Sequence, residues 1–437
     1  MCEYCRSSRP APPAPMDRRG FLRLGGTSLV LLGMGRGLSA AGAASSITPA
    51  GKNPEGSKEE HGILVVFFQR GAADGLHMVV PYRDKHYRRL RGALALEEPG
   101  RGESRTLDLG DGFAFHPALG PLHGLYGSRR LAVVHAVGSP DPTRSHFDAQ
   151  DYMESGTPGR KSTRDGWLAR ALSELDARAP RSSSPFRAVA LSSTLPRSLA
   201  GSSEAIAMED FSRLGGRGRG TSLAARIERM YREDSHPEFA KAGEEAFRAL
   251  KLFREKDPLR QPVPEGVTYP RGRIASAFRQ LARLLKADLG IRIAFLESGG
   301  WDTHFGQGGA TGQMANLLRG FAGSVSAFLD DLGPEFPVTL MTVTEFGRTA
   351  AVNGAGGTDH GHGTAMMVAG GGVKGGRVAG DWPGLASKNL YEGRDLAVTT
   401  DFRDLFSEVA ISALSLPSNA NLFPDYRAQR HPGVMGS

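Results

Sequence analysis

The chain has 437 residues, 40% of them hydrophobic, with a formal net charge of +8. Residues 1–44 hold six Lys/Arg and two Asp/Glu, so the rest of the chain carries about +4 and has no basic stripe of the kind that grips nucleic acid. Both cysteines, Cys2 and Cys5, lie ahead of Met16, which excludes disulfides, thiol nucleophiles and thiolate ligands from the main body and leaves nitrogen and oxygen donors for any metal.

Residues 1–15 read as an upstream extension, with Met16 as the functional start. Arg18 and Arg19 then precede Phe21-Leu22, an apolar core runs from Thr27 to Met34, and Ala41-Gly42-Ala43 offers a small-residue cleavage site. That core is far shorter than the roughly 20 residues needed to span a bilayer. The segment 1–44 is similar to a twin-arginine (Tat) signal, a route that carries proteins already folded. The expectation is a periplasmic or secreted protein that meets the Tat translocon during export and has no stable membrane span. Residues 45–60 read as a polar, disordered lead-in.

The first strand is expected at His61–Phe68, an almost unbroken apolar run ending in QRGAADGL. Arg70 there is a candidate anion contact, and Asp74 is either a metal ligand or a helix N-cap. A short basic helix over Tyr82–Leu90 reads as surface, and residues 97–112 as a charged excursion. After a helix at Ala118–Tyr126 comes a strand at Arg130–Val137. Ser145 then opens the helix His146–Met153, as an N-cap or as a nucleophile in the positive end of the helix dipole, flanked by Arg144, His146 and Asp148. A helix to Leu175, a strand at Arg187–Leu191 and a mobile stretch at 201–222 follow. Amphipathic helices are expected over Ser222–Phe253 and Arg273–Leu289.

The strand Arg292–Glu297 runs into SGGWDTH, which puts Asp302 and His304 two apart on one side of an extended segment. The helix Leu317–Leu332 leads to the strand Val338–Val343, with Glu345 and Arg348 at its carboxyl end, where α/β sheets place their ligands. In the loop TDHGHG, Gly357, Gly361 and Gly363 are expected to let the backbone turn so that Asp359, His360 and His362 converge. Carboxylate and imidazole together suit a divalent ion. A strand at Ala365–Val368, a glycine-rich loop without P-loop spacing and a closing helix at Asp401–Leu416 complete the chain.

Strands alternating with helices imply an α/β fold: a doubly wound, mostly parallel sheet with helices on both faces and a site along one edge. The domain is expected over 61–425, with a mobile, helical insertion near 200–270 and a tail at 426–437. The twin-arginine segment, RGAADGL, RSHFDAQ, GGWDTH, TEFGRT and TDHGHG, in this order over roughly residues 17–420, resemble the bacterial family catalogued as domain of unknown function 1501. That family is similar in fold to the alkaline phosphatase and sulfatase superfamily. The resemblance implies one or two divalent ions (zinc first, manganese or calcium as alternatives) held by Asp74, Asp302, His304, Asp359, His360 and His362. It further implies Ser145 as nucleophile. Glu345 is assigned as a further ligand or base, and Arg70, Arg144, His146 or Arg348 as groups that meet the substrate. Two such ions about 4 Å apart would serve hydrolysis of a phosphate or sulfate ester, small or polymeric. Where the superfamily carries Asp-His, this chain has Glu345-Phe346. Neither Ser139 nor Ser145 is followed by the Pro and Arg that formylglycine modification requires. The competing reading is a metal-stabilised envelope protein without catalysis.

Overall fold

Ile63–Gln69 (β1) is buried at every residue, as a strand covered on both faces must be. The structure, a computed structural model, describes residues 62–177, 184–202, 204–215 and 237–436. The export signal and the lead-in therefore lie outside the described residues.

After β1 the chain forms α1 (Gly75–Met78), β2 (Val79–Val80), α2 (Tyr87–Arg91), β3 (Leu107–Gly110) and β4 (Phe113–Phe115). It continues through α3 (Gly120–Gly127), β5 (Leu131–Gly138), α4 (His146–Ser155), α5 (Trp167–Asp176), β6 (Ala188–Leu191) and β7 (Ala205–Ala207). Then come α6 (Pro237–Lys256), α7 (Arg273–Lys286), β8 (Ile293–Ser298), α8 (Gln313–Leu332) and β9 (Val338–Val343). The last elements are β10 (Thr364–Gly370), β11 (Val378–Ala379), β12 (Thr400–Asp401) and α9 (Phe402–Leu414).

The main sheet has the order β11-β5-β10-β9-β1-β8-β6-β7, with β12 also on β5. Every pairing in it is parallel except those of β10, which runs antiparallel to both β5 and β9. This one reversal decides the layout of the site. The carboxyl ends of β1, β5, β8 and β9 share an edge, and β10 brings to that edge the residues that precede it. A three-stranded antiparallel sheet, β2-β4-β3, stands apart.

Two apolar cores lie on the two faces. Ile63, Val65 and Phe67 join the helices α7 and α8, where Phe67 packs on Phe321 and Phe278 at ring distances of 5.2 and 5.4 Å. Leu64, Val66 and Phe68 share the opposite core with Trp167 and Leu168 of α5 and with Phe402 and Phe406 of α9. In α7 the buried Phe278, Leu281, Ala282 and Leu285 follow the helical repeat that makes one apolar stripe. The sheet is thus mixed but mostly parallel, with helices on both faces, as expected. No described helix is long and apolar enough to cross a membrane.

Three expectations about connecting segments need correction. Within the stretch read as mobile, Ala205–Ala207 extends the sheet as β7 on β6. Part of the charged excursion at 97–112 is β3. The residues read as a tail return to the body: Val434 and Met435 are buried in the second core, because Met435 bridges to Val373.

Candidate metal-binding site

Four side chains meet at the shared edge. His146 is the first residue of α4, beyond β5; Asp302 and His304 follow β8; His360 precedes β10. Each imidazole is fixed through Nδ1: His146 lies 2.8 Å from Glu345 Oε1, His304 lies 2.9 Å from Asp359 Oδ1, and His360 lies 2.8 Å from the carbonyl oxygen of Arg144. Carboxylate and carbonyl oxygens only accept, so each Nδ1 donates, and this assigns the tautomer. In a neutral ring the lone pair then sits on Nε2.

Those Nε2 atoms converge. His304 Nε2 and His360 Nε2 are 3.0 Å apart, and both face Asp302 Oδ1, at 3.0 and 3.2 Å. His146 Nε2 is buried without a hydrogen-bond partner, 3.5 Å from Asp302 Oδ2. Donors of His146, Asp302 and His360 all lie within 4.8 Å of one another. Lone pairs facing at such distances repel unless positive charge sits between them, whether a metal ion or a proton on one nitrogen. Donors arranged tetrahedrally at the usual zinc distance stand about 3.3 Å apart; the group His146, Asp302 and His360 is compatible with a divalent ion, and His304 adjoins it through His360 and Asp302. Oxygen acceptors that hold each imidazole from behind in this way are the usual second layer of a metal site.

The surroundings tune the charges. The bond from Glu345 is the largest influence on His146 and raises its pKa, with the Glu345 and Asp302 charges adding to it against burial. Burial lowers the pKa of His360. Burial disfavours the Asp302 anion, but the bond and charge of Arg348 outweigh it and hold the carboxyl below its ordinary range. Phe346, where a ligand pair was looked for, packs instead against His146 and His360 at 5.0 and 5.1 Å between ring centres.

Other candidates are placed elsewhere or in supporting roles. Asp74 is not in the cluster: it is fully buried, paired with the buried Arg91, and accepts from Gln307 Nε2 at 2.8 Å while capping α1. Glu345 is neither at the centre nor free as a base. It accepts from Gln150, His146 and the amide of Gly71, at 2.8, 2.8 and 2.9 Å. Asp359 acts behind His304 and also accepts from Asn353 at 3.0 Å. His362 lies against Tyr391 with its ring tilted, 4.6 Å between ring centres.

The arginines expected to meet substrate are already engaged. Arg70 contacts Glu297 at 2.5 Å, Glu154 at 2.9 Å and Gln150 at 3.0 Å. Arg144 is 2.6 Å from both Asp395 and Glu392. Arg348 is buried and lies 2.5 Å from Asp302 Oδ1. A guanidinium thus stands against two of the expected carboxylate ligands, Arg91 on Asp74 and Arg348 on Asp302, and Asp302 keeps Oδ2 toward His146. Ser145 is the N-cap residue of α4, yet its side chain makes no capping bond.

Sequence reading missed Arg91, which closes a helix that looked superficial, and Gln307, whose Oε1 accepts from Thr303 and Thr358 while its amide reaches Asp74. No local pattern marks either, because their partners are distant in sequence. The glycines of the loop are needed for a different reason than expected. Gly357, Gly361 and Gly363 do not have positive φ. They sit where a Cβ would overlap backbone: that of Thr303 and His304 for Gly357, and that of Arg348 for Gly361. Gly361→Ala is accordingly expected to move His360 and Arg348 apart and to weaken metal binding by about tenfold or more, measured by competition with a chromogenic chelator. Wild-type affinity in that variant would disprove the steric account.

A family model described as "Protein of unknown function (DUF1501)" matches residues 63–418. No curated protein sequence matches significantly. Among solved structures, the PsFucS1 sulfatase from Pseudoalteromonas sp. is similar with a TM-score of 0.36 and 12% identity, over 86% of this chain and 74% of that one. That likeness is too distant to bear on the chemistry.

Proposed function

This chain belongs to the DUF1501 family, and we propose that it is an exported, metal-dependent hydrolase of a phosphate or sulfate ester. The observation that carries the reading is the convergence of three Nε2 lone pairs on Asp302, each imidazole held at Nδ1 by an oxygen acceptor. His146, His304, His360 and Asp302 would hold one divalent ion, zinc by its donor set, with manganese or calcium as alternatives. Bound there, the ion supplies Lewis acidity toward an ester oxygen.

The chain's own groups supply the rest. Ser145 stands beside His146 at the positive end of the ten-residue helix α4, with a hydroxyl not spent on capping, and provides the attacking oxygen. Glu345 orients His146. Arg348 fixes Asp302 and adds permanent positive charge where anionic oxygens would gather. Export rests on the twin arginines and the short apolar core of the first 44 residues.

Protein isolated from the periplasm without chelator should carry about one equivalent of metal and turn over a nitrophenyl phosphate or sulfate. Ser145→Ala should abolish that turnover and leave metal content unchanged; undiminished turnover would remove Ser145 from the mechanism. The buried guanidinium partners of Asp74 and Asp302 favour a second reading, a metal-stabilised binding protein without catalysis. Metal without turnover of any ester would select it, and folded protein with no metal would overturn both.

A further inference from the structure

Among the described residues, two large apolar side chains are exposed: Phe147, at 89%, and Phe305, at 76%. Each is the chain neighbour of a cluster imidazole, His146 or His304. His360 lies against both of these rings, with centroid distances of 4.3 and 4.7 Å. The exposed phenyl groups are thus carried by the outer members of a row of three imidazoles.

Neither placement is incidental to a loose loop. Phe147 is in the first turn of α4, where the helical repeat swings it about a quarter-turn from His146, beside the cluster and not over it. Phe305 is followed by Gly306 and Gln307, whose amides donate to Ala355 and Gly356 at 3.1 and 2.9 Å, so its segment is tied to the loop that carries His360. Burying a phenylalanine side chain is favourable because it removes apolar surface from water. Leaving two in water beside a charged cluster forgoes that gain in the free protein and offers it to a ligand.

The polar groups beside the rings narrow the ligand. Asp359 is held by His304 and Asn353, Glu392 by Arg144, and Asp148 by Lys161, and all three carboxylates keep part of their surface in water. Acyl chains need one continuous apolar patch of a few hundred Å², not single rings on separate segments. A sugar ring satisfies both features: its C–H face lies on a phenyl, and its hydroxyls donate to carboxylates.

Building on the hydrolase reading above, we propose that Phe147 and Phe305 form an aromatic rim that seats the sugar rings of a glycan substrate, with the ester group directed to the imidazole row. The test is calorimetric titration of the full chain with dextran, dextran sulfate and chondroitin sulfate. Comparison proteins are the Phe147→Ala/Phe305→Ala and Phe147→Tyr/Phe305→Tyr double variants. Wild type should bind at least one of the three. The alanine pair should lose about tenfold in affinity with metal content and melting temperature unchanged, and the tyrosine pair should retain binding.

Equal affinity in the alanine pair, or no binding of any of the three by wild type, overturns the rim. So does ring-dependent binding to phosphatidylglycerol vesicles with saccharide binding unaffected, which would mark a lipid surface. The two readings fail separately. Metal-free wild type with ring-dependent saccharide binding sinks the hydrolase and spares the rim; metal and turnover with ring-independent binding do the reverse.

Discussion

Asp74→Ala is expected to destabilise the folded chain by about 3–5 kcal/mol, because it strands a guanidinium in the interior. The side chains of Arg91 and Asp74 are 0% and 1% exposed, and Arg91 Nη2 lies 2.8 Å from Asp74 Oδ1. Gln307 and the first turn of α1 lose an acceptor at the same time. Denaturant unfolding of chelator-treated protein distinguishes this from a ligand role. An ion pair gives the loss without metal, whereas a ligand gives it only in the loaded protein. Metal-free Asp74→Ala as stable as metal-free wild type would restore Asp74 as a ligand.

The same pair sets a pH dependence. Burial alone would raise the Asp74 pKa, but the charge and hydrogen bonds of Arg91 bring it down from 3.8 to about 2. A depressed carboxyl stabilises the fold above its unfolded pKa and ceases to do so as pH falls through the folded one. Its contribution should therefore be complete above about pH 4 and fade toward pH 2. In Asp74→Ala that part of the acid unfolding curve should flatten.

His360→Ala should reduce bound metal from about one equivalent to almost none, the largest effect on metal content expected of any single side chain here. His360 Nε2 touches both His304 Nε2 and Asp302 Oδ1, so its loss opens the middle of the donor set. Glu345→Gln is the instructive contrast. It keeps a polar partner behind His146 but removes the charge, so affinity should fall about 10- to 100-fold while full loading stays reachable at high metal. Elemental analysis after dialysis, followed by titration, separates the two. Stoichiometric metal retained by His360→Ala would show that the ion sits elsewhere.

The strands that organise the sheet were legible because they are long apolar runs: β1, β5, β8 and β9 were all anticipated to within a residue or two. Of the two- to four-residue strands, β6 was anticipated from its apolar run, whereas β2, β3, β4, β7, β11 and β12 were not, since such lengths carry no periodic signal. The direction of β10 was also hidden, because it depends on its neighbours and not on its own residues. The motifs at strand ends pointed to Asp302, His304 and His360, which the fold brings together, and His146, expected as a substrate contact, joins them at the same edge. Asp74, Arg70 and Arg144 were misjudged for one shared reason. A charged residue near a strand end looks available in sequence, and only the fold reveals a partner such as Arg91, Glu154 or Asp395.

Antiparallel β10 also sets when the donor set can come into being. The contacts that build it join residues 56, 199 and 216 positions apart, and the last donor in chain order is His360, on the return into β10. A nascent or clipped chain that stops short of it has two imidazoles and one carboxylate with nothing to draw them together. On the proposed metal reading, ion capture would be a late event in biogenesis, and metal occupancy would gauge whether a chain was finished.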